Sequence, residues 1–241
     1  MFAADRAHAN THAVALVWGC IFRQLLRDAP NAKLLAERVI EVSTEQGFPL
    51  YHAAATVVRG WALADAGQVH EGLAEMHRGL TDYAGTGAQM WSPYFLGLLA
   101  EAETKAGRSG NAAELIQDAL HRVGRTGARW IEPELYRLRA QVSPASRDLC
   151  STDPEADYRR SMLIASEQGL LMWELRAAAG LARLWIQQGQ CESAVALLRP
   201  IYDRLVEGKD TRDVVEARAL LDSAGRELAP ALQTREEPDV G

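Results

Sequence analysis

The chain has 241 residues, a formal charge of −6 and charged residues of both signs along its whole length, which excludes the concentrated basic face that nucleic-acid binding needs. Ala, Leu, Arg and Glu are abundant while Val, Ile and Thr form no alternating runs, so an all-α protein with an ample core is expected. Cys20, Cys150 and Cys191 are isolated, which predicts reduced thiols rather than a zinc site or disulfide framework.

The first helix is expected from Arg6 to Leu26, where Val14, Val17, Trp18, Ile21 and Leu25 keep three-and-four spacing. Asp28 caps the second helix and Pro30 sits in its first turn; Gly47 ends it in the left-handed conformation. A second pair runs from Pro49 to Ala66, turns at Gly67, and continues from Val69 to Ala84. The third runs from Pro93 to Ala106, turns at Gly107, and continues from Asn111 to Arg125. The fourth begins near Trp130, reaches Val142, and passes through the irregular insertion 143–154 to a helix ending at Gln168. Leu171 to Gln188 and Glu192 to Glu207 make the fifth pair, with Gly189 as its turn. A last helix, Asp213 to Ala224, caps the array. The repeat domain is thus placed at 1–225 and a polar, disordered tail at 226–241.

The organising feature is a period. Thr86-Gly87-Ala88 returns as Thr126-Gly127-Ala128, and Gly47, Gly87, Gly127 and Gly169 are spaced 40, 40 and 42. A period of that size marks stacked repeats. Gly60, Ala100 and Ala140 share the 40-residue step, followed by Ala182, and small side chains at fixed spacing let helix axes approach closely. A glycine inside a helix costs about 1 kcal/mol relative to alanine, so Gly60, Gly72 and Gly79 predict close helix contacts. The fold expected is a tetratricopeptide-like superhelix of about five helix pairs plus a C-terminal capping helix. Tyr51, Trp91, Trp130 and Trp173 follow the marker glycines at near-constant spacing and read as wedges between repeats.

Arg59-Gly-Trp-Ala-Leu-Ala-Asp-Ala-Gly67, Ser92-Pro-Tyr-Phe-Leu-Gly-Leu-Leu-Ala-Glu-Ala102, Glu134-Leu-Tyr-Arg-Leu-Arg139 and Leu175-Arg-Ala-Ala-Ala-Gly-Leu-Ala-Arg-Leu-Trp185 resemble the C-terminal helical-repeat region of large bacterial regulators. There, a class III adenylate/guanylate cyclase or winged-helix domain precedes a signalling ATPase and then the array. The repeat unit is also similar to the sensor superhelix of maltose-type transcriptional activators. The resemblance covers about Ala32 to Asp222. It implies a bacterial signalling or regulatory module that binds a protein segment or small effector. A signalling ATPase or cyclase would be its partner; the alternative is a detached regulatory subunit or remnant of such a system.

The chain itself has no phosphate-binding Gly-x-x-x-x-Gly-Lys-[Ser/Thr], because Gly208-Lys209 lacks the rest of that motif. His8 and His12 stand one turn apart without a third ligand, and His70-Glu71 meets Ala74 where a metalloprotease needs its second histidine. Cys20 reads as packing and Cys150 as the exposed thiol. No enzyme, cofactor or metal is therefore expected. The N-terminus does not look like a signal peptide, and the longest apolar windows are too short to span a membrane, so a cytoplasmic protein without a membrane partner is expected.

Binding is assigned to a concave groove on the first helices. Its candidates are Val57, Trp61, Tyr94, Glu101, Arg137, Gln141, Arg176 and Arg183, a set suited to a short peptide or a small anionic effector. The competing reading buries Trp61 in the core and pairs Arg137 and Arg176 with Glu134 and Glu174. Partly exposed Val14, Trp18 and Phe22 invite a partner or a homodimer through the N-terminal helix pair.

Overall fold

The computed structural model describes residues 2–142 and 153–233, with side-chain environments for 8–142 and 153–226. The insertion with Cys150, and residues 234–241 of the expected tail, lie outside the described residues. Eleven α-helices are present among the described residues, with no strand. They are α1 (Phe2–Leu25), α2 (Ala29–Gln46), α3 (Pro49–Asp65), α4 (Val69–Gly85), α5 (Ser92–Lys105), α6 (Ser109–Thr126), α7 (Glu132–Val142), α8 (Pro154–Glu167), α9 (Leu171–Gln187), α10 (Cys191–Asp203) and α11 (Arg212–Gln233), with a 3-10 turn at Arg129–Ile131 before α7.

The punctuation is chemical. The Asp28 carboxylate accepts from the Asn31 backbone N–H at the start of α2, and Asp153 accepts from that of Glu155 at the start of α8. Each satisfies a donor that a helix start leaves unpaired. Gly47, Gly87, Gly127 and Gly169 all have positive φ, between 69° and 78°, where a side chain would be strained. Two ends differ from expectation. The helix α10 stops at Asp203 rather than Glu207, three residues after Pro200 has removed a backbone donor from it. The last helix continues past Ala224 to Gln233.

The chain forms two compact units, which in the described residues are 2–131 and 132–142 with 153–233. In the first, α1/α2, α3/α4 and α5/α6 pair, the first helices pack in the order α1, α3, α5, and each of α2 and α4 also meets the first helix of the next pair. In the second, α7/α8 and α9/α10 pair, α7 packs on α9, and α11 packs on both α9 and α10. This is the consecutive-pair packing of a tetratricopeptide-like helical repeat.

The small residues act where the period placed them. A Cβ on Gly60 would stand 2.6 Å from the Gly72 carbonyl oxygen, and one on Gly72 would strike the Gly60 carbonyl in return. A Cβ on Gly79 would meet Val57 Cγ2 at 2.8 Å. In this way α3 and α4 touch backbone to backbone, and the contact offsets what glycine loses in helix propensity. In the same unit Trp61, Phe95, Met76, Leu99 and Ile116 are fully enclosed.

Candidate functional site

In the first unit the groove candidates are mostly spent on packing. Val57 is fully buried among α3 and α4, and Trp61 and Tyr94 are each 1% exposed. The Trp61 indole N–H donates to Glu101 at 3.0 Å, forty residues on, and Lys105 Nζ reaches back to Asp65 at 2.6 Å over the same step. The Tyr94 hydroxyl donates to the buried Gln24 amide oxygen at 2.7 Å, and burial pushes its pKa well above the ordinary phenol value. The structure therefore corrects the expectation that Val57, Trp61 and Tyr94 face an open groove. Val57 packs against Gly79, Trp61 follows Gly60 at the α3–α4 contact, and Tyr94 is enclosed by Gln24, Phe95 and Trp130. Of these four candidates only Glu101 keeps a partly exposed side chain.

In the second unit the arginines are tied into a network. Arg137 grips both oxygens of Glu134 at 2.7 and 2.8 Å. Arg176 donates to Glu134 at 3.2 Å and to Asp213 at 3.0 and 2.5 Å, so α7, α9 and α11 share one chain of alternating charge. Burial alone would raise the Glu134 pKa, but the two guanidiniums and their hydrogen bonds outweigh it and hold the carboxyl at about 2. Glu174, the expected partner of Arg176, is taken instead by Arg204 at 3.0 and 3.1 Å. Trp173 lies under the Arg176 guanidinium, 5.6 Å from its ring centre. Gln141 is exposed, and Arg183, exposed as well, stands 4.0 Å from Glu216.

Two features of the first unit have different accessibility. Trp18, Phe22 and Met90 are 52, 57 and 58% exposed. Trp18 and Phe22 lie one turn apart on α1, and Trp18 meets Trp91 edge to face at 5.5 Å. Trp91 in turn stacks beside Tyr83 and meets Phe95 edge to face, and Trp130 packs on Tyr94 at 5.5 Å, the wedge roles their spacing implied. The second feature is a cleft of about 390 Å³ over the start of α5, between the last turns of α4 and α6. Leu80, Tyr83 and Leu96 line its apolar side; Asp118, Arg122 and Arg125 line the other.

The groove candidates did not include this cleft. A signal existed at the marker glycines. Gly47 and Gly169 are followed by Phe48 and Leu170, whereas Gly87 and Gly127 are followed by Ala88 and Ala128. Ala88 borders the cleft. Among the titratable thiols, Cys20 is enclosed with its Sγ 3.6 Å from the Ala32 carbonyl, and burial pushes its pKa up to about 12. A thiol held protonated in this way is inert packing. No helix of the described residues is long and apolar enough to cross a membrane.

No family model matches the sequence, and no curated protein matches it. Solved structures are similar in fold. BtubC (BKLC) from P. vanneervenii superposes with a TM-score of 0.54 and 13% identity, over 99% of this chain and 93% of that one. A putative kinesin light chain from Podosopora anserina, described as nearly identical TPR-like repeats, aligns with a TM-score of 0.45 and 18% identity over 89% of this chain and 97% of that one. A point variant of that same protein gives 0.47 and 17% over the same shares. The consecutive helix pairs define the class, a tetratricopeptide-like helical-repeat fold, and the first of these likenesses, at such an identity, speaks of fold alone.

Proposed function

We propose that this protein is a non-enzymatic, cytoplasmic interaction module that receives a protein segment. The observation that carries the reading is the pair Trp18 and Phe22, two large aromatic side chains one turn apart on α1 and each more than half exposed. Grouped exposed aromatics of this kind mark contact surfaces, whereas scattered ones do not. Trp18 is held by Trp91, so its ring is presented in a fixed orientation, and less freedom is lost when a partner covers it. Of the groove candidates, Gln141 and Arg183 have side chains free of the core and would supply a polar contact in the second unit. The place of the module in a bacterial signalling or regulatory system, beside an ATPase or cyclase, rests on the resemblance of its sequence motifs.

The test is photo-crosslinking in the source cells with a photoreactive residue at position 18, 22 or 163. Leu163 is also 50% exposed but stands in the other unit. Positions 18 and 22 should trap one defined partner, or a second copy of this chain, and position 163 should not. Equal, unspecific labelling from all three positions would end the reading.

A further inference from the structure

We infer that the cleft over the start of α5 is a binding site for a small molecule carrying one carboxylate on an apolar body. The argument starts from charge. Arg122 Nε lies 3.0 Å from both Asp118 oxygens, so that pair is neutral, and Arg122 Nη1 donates to Ser92 Oγ at 2.8 Å, which fixes the guanidinium plane. Arg125, in the last turn of α6, is exposed and has no carboxylate partner among the described residues. The wall contributed by α6 thus has one positive charge in excess. A guanidinium so placed takes a carboxylate through paired hydrogen bonds.

The rest of the lining narrows the class. The ends of α4 and α6 bring partial negative charge to the cleft and the start of α5 brings partial positive charge, so these offset one another. The single excess guanidinium therefore matches one carboxylate better than a dianion such as a phosphate monoester. Opposite the arginines, Leu80, Tyr83 and Leu96 offer an apolar floor, and Tyr83 is fixed because its hydroxyl accepts from the Trp91 backbone N–H at 3.1 Å. A volume of about 390 Å³ falls at the small end of ligand pockets, which suits a small molecule better than a folded partner. The space exists at a place where the position after the marker glycine is Ala88, while the corresponding Phe48 and Leu170 are large.

The site is independent of the Trp18 surface, so each can fail without the other. The experiment titrates the purified full chain with 3-phenylpropionate and octanoate, and with 3-phenylpropionamide and 3-phenylpropylamine, by calorimetry and ligand-observed NMR. At least one carboxylate should bind saturably and one to one, tenfold or more above the amide and the amine. R125Q should lower that affinity at least tenfold. A88F should abolish binding while the helical circular dichroism is kept. Should A88F fail to fold, R125Q decides, since Arg125 is exposed. No saturable binding by either carboxylate, equal binding of the amide, or full affinity in R125Q overturns the assignment.

Discussion

Between α3 and α4 of the first unit, helices meet at glycine, with Gly60 and Gly72 bringing carbonyl oxygens to where a Cβ would otherwise stand. Between α7, α9 and α11 of the second unit, they meet through Glu134, Arg137, Arg176 and Asp213. Where a glycine does serve packing there, at Gly180, it makes room for the Tyr158 ring and not for another backbone. The α3–α4 contact therefore sets backbone against backbone, with the Arg59–Glu75 pair beside it, whereas α7, α9 and α11 add a shared charge network to an apolar core. The difference teaches that the repeat period constrains helix spacing but not the means of achieving it. The glycine contact itself is intolerant of volume, whereas the charge network depends on the ionisation of Glu134.

The largest effect that sharpens this contrast is steric. Gly72→Leu should cost about 3 kcal/mol or more, because the side chain meets the α3 backbone at the Gly60 carbonyl and the Ala64 nitrogen and neither can yield locally. Gly124→Ala in α6, where a Cβ meets nothing within 4 Å, should instead gain up to about 1 kcal/mol from helix propensity. Urea midpoints of the two variants check both signs. Equal effects would mean that the α3–α4 approach does not depend on glycine.

The charge network comes next. Glu134 titrates at about 2 in the folded chain against an ordinary 4.5. Its folded pKa is depressed, so the stabilisation is complete above the ordinary value and is lost as pH falls through about 2. Glu134→Gln, which leaves Arg137 short of its counter-charge, should cost about 3 kcal/mol near pH 6. The gap between wild type and variant should shrink steadily below the ordinary carboxylate pKa. A gap that stays constant from about pH 6 to about pH 2.5 would remove Glu134 from the network.

Much of this was legible beforehand, and what was missed has a physical reason. The helix pairs, the left-handed Gly47, Asp28 as a cap, and the tight approach at Gly60 and Gly72 follow from local rules that act within one or two turns. The groove did not follow. Sequence spacing gives the helix face on which Trp61 and Tyr94 stand, but not whether the neighbouring helix covers it. That depends on what lies across the face: the close α3–α4 approach beside Gly60 for Trp61, and Gln24 with Trp130 for Tyr94. Likewise, Arg176 was assigned to Glu174 because they are neighbours in sequence, whereas its second carboxylate, Asp213, comes from α11, 37 residues away. The cleft escaped for a related reason. It is bounded by the ends of three helices, and the missing volume at Ala88 has meaning only beside the residues that frame it.

The smallest effect compares one interaction across both units. Trp61 donates its indole N–H to Glu101 at 3.0 Å, and Trp185 donates to Glu155 at the same distance. The first indole is 1% exposed and the second 9%, and the Glu155 side chain is a third exposed against a fifth for Glu101. The Glu155 carboxyl is held below its usual pKa first by this indole bond, with burial opposing and Arg159 assisting, so the bond persists at the surface. Replacing either tryptophan by phenylalanine removes the donor and a similar part of the ring, leaving the carboxylate to find another partner. Water can reach Glu155 more readily than Glu101, so W61F should cost about 1 kcal/mol more than W185F. Paired denaturation curves at neutral pH measure that difference directly. If W185F proves the more damaging, the indole bond in the second unit does more than its exposure implies, and solvent access is not what separates the two regions.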